Sequence, residues 1–218
     1  MDPVVVYVAL FVVSFLLGSI PFGLIISKVF YHTDIREHGS GNIGTTNAIR
    51  TMGKVGGYSV FVLDFGKGVL SGVLALVAAD YLTSTGSTGL LSSHDLVALA
   101  FMGCIWGHIF SPWLKFKGGK GIAVAVGCLV VMFGFVGMLI EVGLFALLVI
   151  VTRYVSVGSI AAAAICPFLS LYFYWGDWVG VVCCTLAALT VIWAHRSNIS
   201  RLLSGTESRV GSKKEKAS

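Results

Sequence analysis

Residues 68–114, GVLSGVLALVAADYLTSTGSTGLLSSHDLVALAFMGCIWGHIFSPWL, contain no lysine or arginine. The stretch opens just after Lys67 and closes just before Lys115. Loops that carry basic residues resist translocation, so Lys and Arg collect on the cytoplasmic side of a membrane protein. An apolar stretch bounded by basic residues at both ends therefore crosses the bilayer an even number of times. Residues 55–114 accordingly hold two crossings, broken by the polar run Thr83–Asp95, whose Ser, Thr and Gly residues fit an outer loop.

The pattern extends outward over the whole chain. No basic residue precedes Lys28; Lys28, Arg36, Arg50, Lys54 and Lys67 follow, then Lys115, Lys117 and Lys120, then Arg153 alone, and the rest fall between Arg196 and Lys216. A span needs about 20 apolar residues. Residues 3–27 make one crossing. Residues 121–152 number only 32, so two crossings there average about 16 residues each, turning near Gly134 and Gly137. A re-entrant pair that never reaches the far side is the alternative. Residues 154–195 hold two more, turning near Gly176 and Asp177. The expected architecture is an all-α integral membrane protein of seven transmembrane helices, with the N-terminus outside and the C-terminus cytoplasmic. It forms one domain over 1–207, followed by a basic, disordered tail over 208–218. The outer connections carry Asp2, Asp80, Asp95 and Asp177 but no cation, in agreement with this orientation.

Composition excludes most other classes. Hydrophobic residues make up 56% of the chain and charged residues only 11%, which leaves no room for a separate soluble domain. The formal charge of +5 is explained by membrane insertion and by a basic tail resting on anionic head groups, and no nucleic-acid partner is expected. The five cysteines lie in apolar stretches without metal-ligand spacing and read as small core residues, so neither metal nor cofactor is expected. Asp2 opens an N-terminus with no basic segment or small-residue cleavage site, as in a retained first span. No internal repeat is visible.

Three segments on the basic face carry chemistry. In Gly39–Arg50 (GSGNIGTTNAIR), glycines 39, 41 and 44 free the backbone for tight turns whose N–H groups converge on an anion. Ser40, Asn42, Thr45, Thr46 and Asn47 add uncharged donors, and Arg50 supplies a planar fork that matches phosphate oxygens. The alternative is a plain glycine-rich loop with Arg50 anchored to lipid phosphate. In Gly107–Gly121 (GHIFSPWLKFKGGKG), Lys115, Lys117 and Lys120 flank Gly118 and Gly119 just before an apolar helix. A helix N-terminus so preceded is a phosphate site through its dipole and free N–H groups. His108 in this segment is a further substrate-binding candidate. It is not a nucleotide-binding P-loop, because Leu114 stands where the first glycine belongs and Gly121 follows Lys120. Positive-inside anchoring alone is the alternative. In His195–Glu207 (HRSNISRLLSGTE), His195 and Asn198 share a helical face beside Arg196, and Gly205 stops the helix. Deeper in the membrane, Asp64 and Lys67 are spaced to pair on one face, either as a structural pair or as a functional one. Glu141 stands alone in the short hairpin with no partner assigned.

Together these motifs resemble the bacterial acyl-phosphate:glycerol-3-phosphate acyltransferases, the PlsY family. The resemblance covers nearly the whole chain: Gly18–Gly23 (GSIPFG), then SGNIGTTNAIR, LDFGKG, GHIFSPWLKFKGGKG, TRYVS and HRSNISRLLSGTE, in that order. It implies a seven-helix inner-membrane enzyme with its active site on the cytoplasmic face. Such an enzyme moves the acyl group of acyl phosphate to the sn-1 hydroxyl of glycerol 3-phosphate, giving lysophosphatidic acid and phosphate in phospholipid synthesis. The phosphate acyltransferase that makes acyl phosphate is an implied functional partner. By the same resemblance, Ser40, Arg50, Lys120, His195 and Asn198 hold glycerol 3-phosphate, with His195, Lys120, Asn198 and Ser40 the catalytic set. Gly118, Gly119 and Gly121 shape a phosphate loop around Lys117 and Lys120, Ser156 reaches the same pocket, and Glu207 stabilises the arrangement. One departure is Val124, where the family usually has Thr and therefore a hydroxyl.

Acyl phosphate is already activated, so alignment and charge neutralisation suffice, with no covalent enzyme intermediate. The base is either His195 or the departing phosphate. No histidine is followed five residues on by Asp, the spacing of soluble-type glycerolipid acyltransferases; Glu37 after His32 comes nearest. A small transporter and a lipid-binding scaffold are the competing classes. Polar residues gather at one face instead of at mid-membrane, which favours the enzyme.

Overall fold

The Asp2 carboxylate accepts a hydrogen bond from the Val4 N–H at 2.8 Å, and Pro3 fills a first-turn position that needs no N–H, so the chain enters a helix at once. The computed structural model describes residues 2–87 and 90–211. Those residues contain no strand, and their helices are α1 (Pro3–Ser19), α2 (Phe22–Tyr31), α3 (Thr45–Ser84), α4 (Ser93–Ile109), α5 (Ile122–Met132), α6 (Gly134–Thr152), α7 (Val155–Phe173), α8 (Trp178–Ala194) and α9 (Arg196–Leu203). α4 sits at the centre, packed by α1, α3, α5 and α8, while α6 and α7 close the other side.

Five units are long and apolar enough to cross a bilayer: Pro3–Tyr31, Thr45–Ser84, Ser93–Leu114, Gly134–Thr152 and Val155–Phe173. α8, bent by 50° into α9, makes a sixth. α5 has 11 residues, about 16 Å of helix, roughly half the hydrocarbon core. The 121–152 hairpin is thus divided unequally, into a short α5 and a 19-residue α6. The cause is the loop before α5, which folds back on the end of α4. There Gly118 and Gly119 donate their N–H groups to the carbonyls of Ile109 and His108, both at 3.0 Å. The turn is at Gly134, with φ of 63°, whereas Gly137 lies inside α6 against the Phe133 side chain. The other turns fall as expected: a capping box of Ser92 and Asp95 opens α4, and Gly176, at φ 97°, separates α7 from α8. All five cysteines are buried and unpaired. Within the expected tail, Val210 N–H donates to the Arg153 carbonyl at 2.7 Å, and residues 212–218 lie outside the described residues.

The surface is that of a protein bathed in lipid. α6 leaves Phe135, Val136, Leu147, Ile150 and Val151 exposed, and α1 does the same with Val5, Val8 and Val12. Such continuous apolar faces are untenable in water. Trp175 and Trp178 are exposed at one end and Trp113 and Phe116 at the other, the arrangement expected of aromatic residues at two membrane interfaces. In lipid, helices gain nothing by hiding apolar surface from each other, so close packing and polar contacts must hold them. Gly107 of α4 lies against the Phe15 carbonyl of α1, and Gly18 of α1 against the Cys104 carbonyl of α4. The same reciprocal contact joins Gly68 and Gly127 across α3 and α5.

One polar contact ties four segments together. Pro21 breaks the first span, freeing backbone carbonyls at Ser19 and Ile20. Lys67 Nζ on α3 donates to the Ile20 carbonyl at 3.0 Å, pairs with Asp64 at 2.9 Å and lies 3.0 Å from His108 Nδ1 on α4. Ser111 Oγ donates to the Ser19 carbonyl at 2.7 Å. The Asp64–Lys67 pair expected from their spacing is therefore formed, with both side chains buried, and it serves to close a helix break.

Two outcomes follow for unfolding in detergent. Gly107→Ala should cost about 1–3 kcal/mol by pushing α1 from α4, whereas Gly143→Ala, facing open space, should be neutral or stabilise by up to about 1 kcal/mol; the reverse order of melting temperatures contradicts the packing. Lys67→Met should cost about 3–5 kcal/mol by stranding Asp64, and adding Asp64→Leu should restore most of it. Additive losses in the double variant would show that the two do not act as a pair.

Candidate active site

The three segments singled out in the sequence meet at one end of the bundle, around a cavity of about 330 Å³. Ser40, Asn42, Thr46, Asn47, Arg50, His108, Lys120, Gly121, Ser156, His195, Asn198 and Glu207 all line it. Gly53, at φ 75° in the left-handed region, interrupts α3 and sets residues 45–52 apart from the long span. The N-terminal turns of α3 (Thr45, Thr46), α5 (Ile122, Ala123) and α7 (Val155, Ser156) all border the cavity. Each helix N-terminus brings unpaired N–H groups and the positive end of its dipole. Three of them around one cavity favour negative charge there before any side chain is counted.

The side chains divide into those that build the site and those left free to bind. Asn47 builds. Its amide donates to the carbonyls of Ile35, His38 and Asn42 at 3.1, 3.0 and 2.8 Å, and its oxygen accepts from Ser40 N–H at 2.9 Å. Asn42 accepts from Gly44 N–H at 2.9 Å, closing the turn that leads into α3. Glu207 also builds, receiving Asn198 Nδ2 and Arg201 Nε at 2.7 Å each. Burial raises its pKa, but the hydrogen bonds from Asn198 and Arg201 outweigh it and hold the carboxyl below its ordinary value.

Lys120 and Arg50 are the cations at the cavity without an ion-pair partner among the described residues. Lys120 Nζ donates to Asn198 Oδ1. Burial, then repulsion from Arg201 and Arg50 against the weaker pull of Glu207, brings the Lys120 pKa down to about 8. His195 is buried, and its Nδ1 lies 2.8 Å from the Val191 carbonyl. That contact fixes the proton on Nδ1 and leaves Nε2 as an acceptor in the neutral ring.

Some expected residues stand elsewhere. Lys117 is exposed and does not line the cavity, and the N–H groups of Gly118 and Gly119 are spent on α4 carbonyls. These two glycines are needed for space: Gly118 lies on the His108 carbonyl and Gly119 on the His108 ring. Arg196 points outward, its guanidinium 3.9 Å from the Trp193 ring centroid. Asp64 borders the cavity with Lys67 behind it. Val124 is fully buried, and its carbonyl lies against Gly68 of α3, away from the cavity, so a hydroxyl at this position has no part in the lining. Sequence reading missed Arg201 and Ser159, which lie three residues beyond Asn198 and Ser156 on the same helical faces. It also missed Phe61 and Phe145, for which the sequence carries no signal.

Comparison with known proteins identifies the family to which the chain belongs. The glycerol-3-phosphate acyltransferase family model matches residues 8–205. The glycerol-3-phosphate acyltransferase of Rhodopseudomonas palustris strain BisB5 is 40% identical over 96% of this chain and 98% of its own. That of Prochlorococcus marinus strain MIT 9312 is 38% identical over 91% and 94%. Among solved structures, the glycerol 3-phosphate form of PlsY, an integral membrane glycerol 3-phosphate acyltransferase, superposes with a TM-score of 0.78 at 32% identity, covering 94% of this chain and 96% of PlsY. Its lysophosphatidic acid form gives 0.76 at 33%, over 94% and 95%. With matches of this extent the chain belongs to the glycerol-3-phosphate acyltransferase family.

Proposed function

We propose that this protein transfers the acyl group of acyl phosphate to the sn-1 hydroxyl of glycerol 3-phosphate, releasing lysophosphatidic acid and inorganic phosphate. The observation that carries the reading is the polar cavity itself: three helix N-termini and two unpaired cations, opening onto an apolar pocket. That pocket, of about 200 Å³, shares Phe61, Ile122 and Phe145 with the polar cavity. One substrate needs only the polar side, and the other needs both, its phosphate beside the first and its tail in lipid.

The reaction balances without a covalent enzyme species. The glycerol hydroxyl oxygen attacks the acyl carbon, the new ester C–O bond forms, and the bond to the phosphate oxygen breaks. The hydroxyl proton passes to His195 Nε2 or to the departing phosphate. Lys120, Arg50 and the N-terminal turns of α5 and α7 neutralise the charge that develops on the phosphate oxygens. Asn198, held by Glu207 and by Lys120, keeps the lysine directed into the cavity. Ser40 lies at the cavity edge where it can reach a substrate hydroxyl.

The membrane arrangement follows from charge. Lys28, Arg36, Arg50, Lys115, Lys117, Lys120, Arg153, Arg196 and Arg201 belong to the cavity end of the bundle, while Asp2, Asp80, Asp95 and Asp177 belong to the other. The positive-inside rule puts the cavity on the cytoplasmic face of the bacterial inner membrane, the N-terminus outside and the C-terminus inside. The six longer spans, with α5 and the recessed loop before it together making the seventh, then supply seven passes. The chain takes its donor from an enzyme that makes acyl phosphate.

The test is formation of lysophosphatidic acid by purified protein from glycerol 3-phosphate, with palmitoyl phosphate and palmitoyl-CoA as separate donors. Turnover with acyl phosphate alone is expected, and Lys120→Ala should lower kcat/KM at least about tenfold, the worth of one charge-assisted contact. Turnover with the thioester overturns the donor assignment, and no product from either overturns the reaction. The pH dependence has a definite sign. A lysine with a pKa of about 8 is charged below that pH and loses its proton above it. The substrate phosphate, with a second pKa near 6, stays fully charged over the same range. KM for glycerol 3-phosphate should therefore be flat from pH 7 to 7.5 and rise above about 8, and Lys120→Arg should remove the rise. A flat KM up to pH 9 in the unaltered protein contradicts the assignment.

A further inference from the structure

The apolar pocket contains one residue that the transfer chemistry does not use. Its walls are Phe, Ile, Leu, Val, Ala and Cys side chains, with the sole exception of Glu141. Glu141 is 5% exposed, and its Oε1 has no hydrogen-bond partner among the described residues. Among the described residues no Lys, Arg or His lines the pocket to pair with it. Cys166, on the facing helix, is a weak donor beside the carboxyl and leaves Oε1 unmet. An ionisable group at such depth is costly to keep, and a buried acceptor left unmet is more so.

The position of Glu141 relative to the polar cavity is set by α7. Ser156 lines that cavity, and Cys166, beside Glu141, lies ten residues further along the same helix, about 15 Å at 1.5 Å per residue. Phe61, Ile122 and Phe145, common to both spaces, stand between. An acyl chain whose carbonyl sits at the cavity and whose tail fills the pocket thus passes Glu141 well beyond its carbonyl end.

We propose that Glu141 is a polar subsite in the acyl pocket that accepts a hydrogen bond from a hydroxyl on the acyl chain, so that the favoured donor is a hydroxylated acyl phosphate. The inference rests on the acyl-transfer reading above. A hydroxyl fits better than a cationic group, because a charged chain would have to be drawn through lipid to reach the pocket. The hydroxyl belongs in the distal part of the chain, at the depth of Cys166.

The test compares palmitoyl phosphate with a set of hydroxypalmitoyl phosphates whose hydroxyl is moved along the chain, each assayed on one preparation so that the ratio of kcat/KM values is independent of the folded fraction. One distal position should exceed the plain chain by about tenfold in the unaltered protein, the worth of one hydrogen bond to a buried acceptor. Glu141→Leu should bring that ratio below one, and Glu141→Gln, which keeps an acceptor oxygen, should retain part of the preference. A ratio at or below one for every hydroxyl position overturns the subsite, as does a preference unaltered in Glu141→Leu. Failure to use even palmitoyl phosphate is the separate result that removes the acyl-transfer reading beneath it.

Discussion

Lys67 closes a break in the first membrane span, and much of the site depends on that closure. Pro21 cannot donate a backbone hydrogen bond, so the helix opens there. The lysine reaches across from α3 to the Ile20 carbonyl and contacts the His108 ring on α4. That ring in turn seats Gly119, and the loop turning over it delivers Lys120 to the cavity. The buried Lys67 cation is thus engaged by the Ile20 carbonyl, Asp64 and His108 together.

The arrangement divides labour between backbone and side chains. The backbone's share of the cavity comes from the ends of α3, α5 and α7, whose positive dipole ends cost nothing to preorganise because the helices are held by packing elsewhere. The side chains then need to supply only a few mobile charges. Lys120 is one of these, and partial burial makes it a cation that protonates and deprotonates near physiological pH. Glu207 absorbs Arg201 and fixes Asn198, so the surplus positive charge stays directed inward.

The shortness of α5 belongs to the same design. A full-length span there would carry its N-terminus past the site to the membrane surface. Because the preceding loop hydrogen-bonds back to α4, α5 starts recessed, level with Ser156 and Asn198, and its lower part can open between α3, α6 and α7 as the apolar pocket. The polar cavity and the apolar pocket then meet at Ile122, the first residue of α5, which borders both spaces.

Much of this was legible in the sequence. The spacing of basic residues located most of the long apolar helices and the turns at Gly134 and Gly176, though not the break at Pro21 or the shortness of α5, because positive-inside bias and hydropathy act on local stretches and require no knowledge of packing. Ser40, Arg50, Lys120, His195 and Asn198 were found by motif, and they do surround one cavity. What only the tertiary structure decided was which polar atoms remain available. Asn47, Gly118 and Gly119 look like ligand donors in the sequence but are consumed by contacts with segments distant along the chain, and Arg196 turns outward onto Trp193. Phe61 and Phe145 join the site although nothing in their local sequence marks them, and Glu141 acquires an environment that no neighbour in the chain foretells. Hydropathy and charge are local properties of a chain, whereas the satisfaction of a hydrogen bond depends on what another helix brings to it.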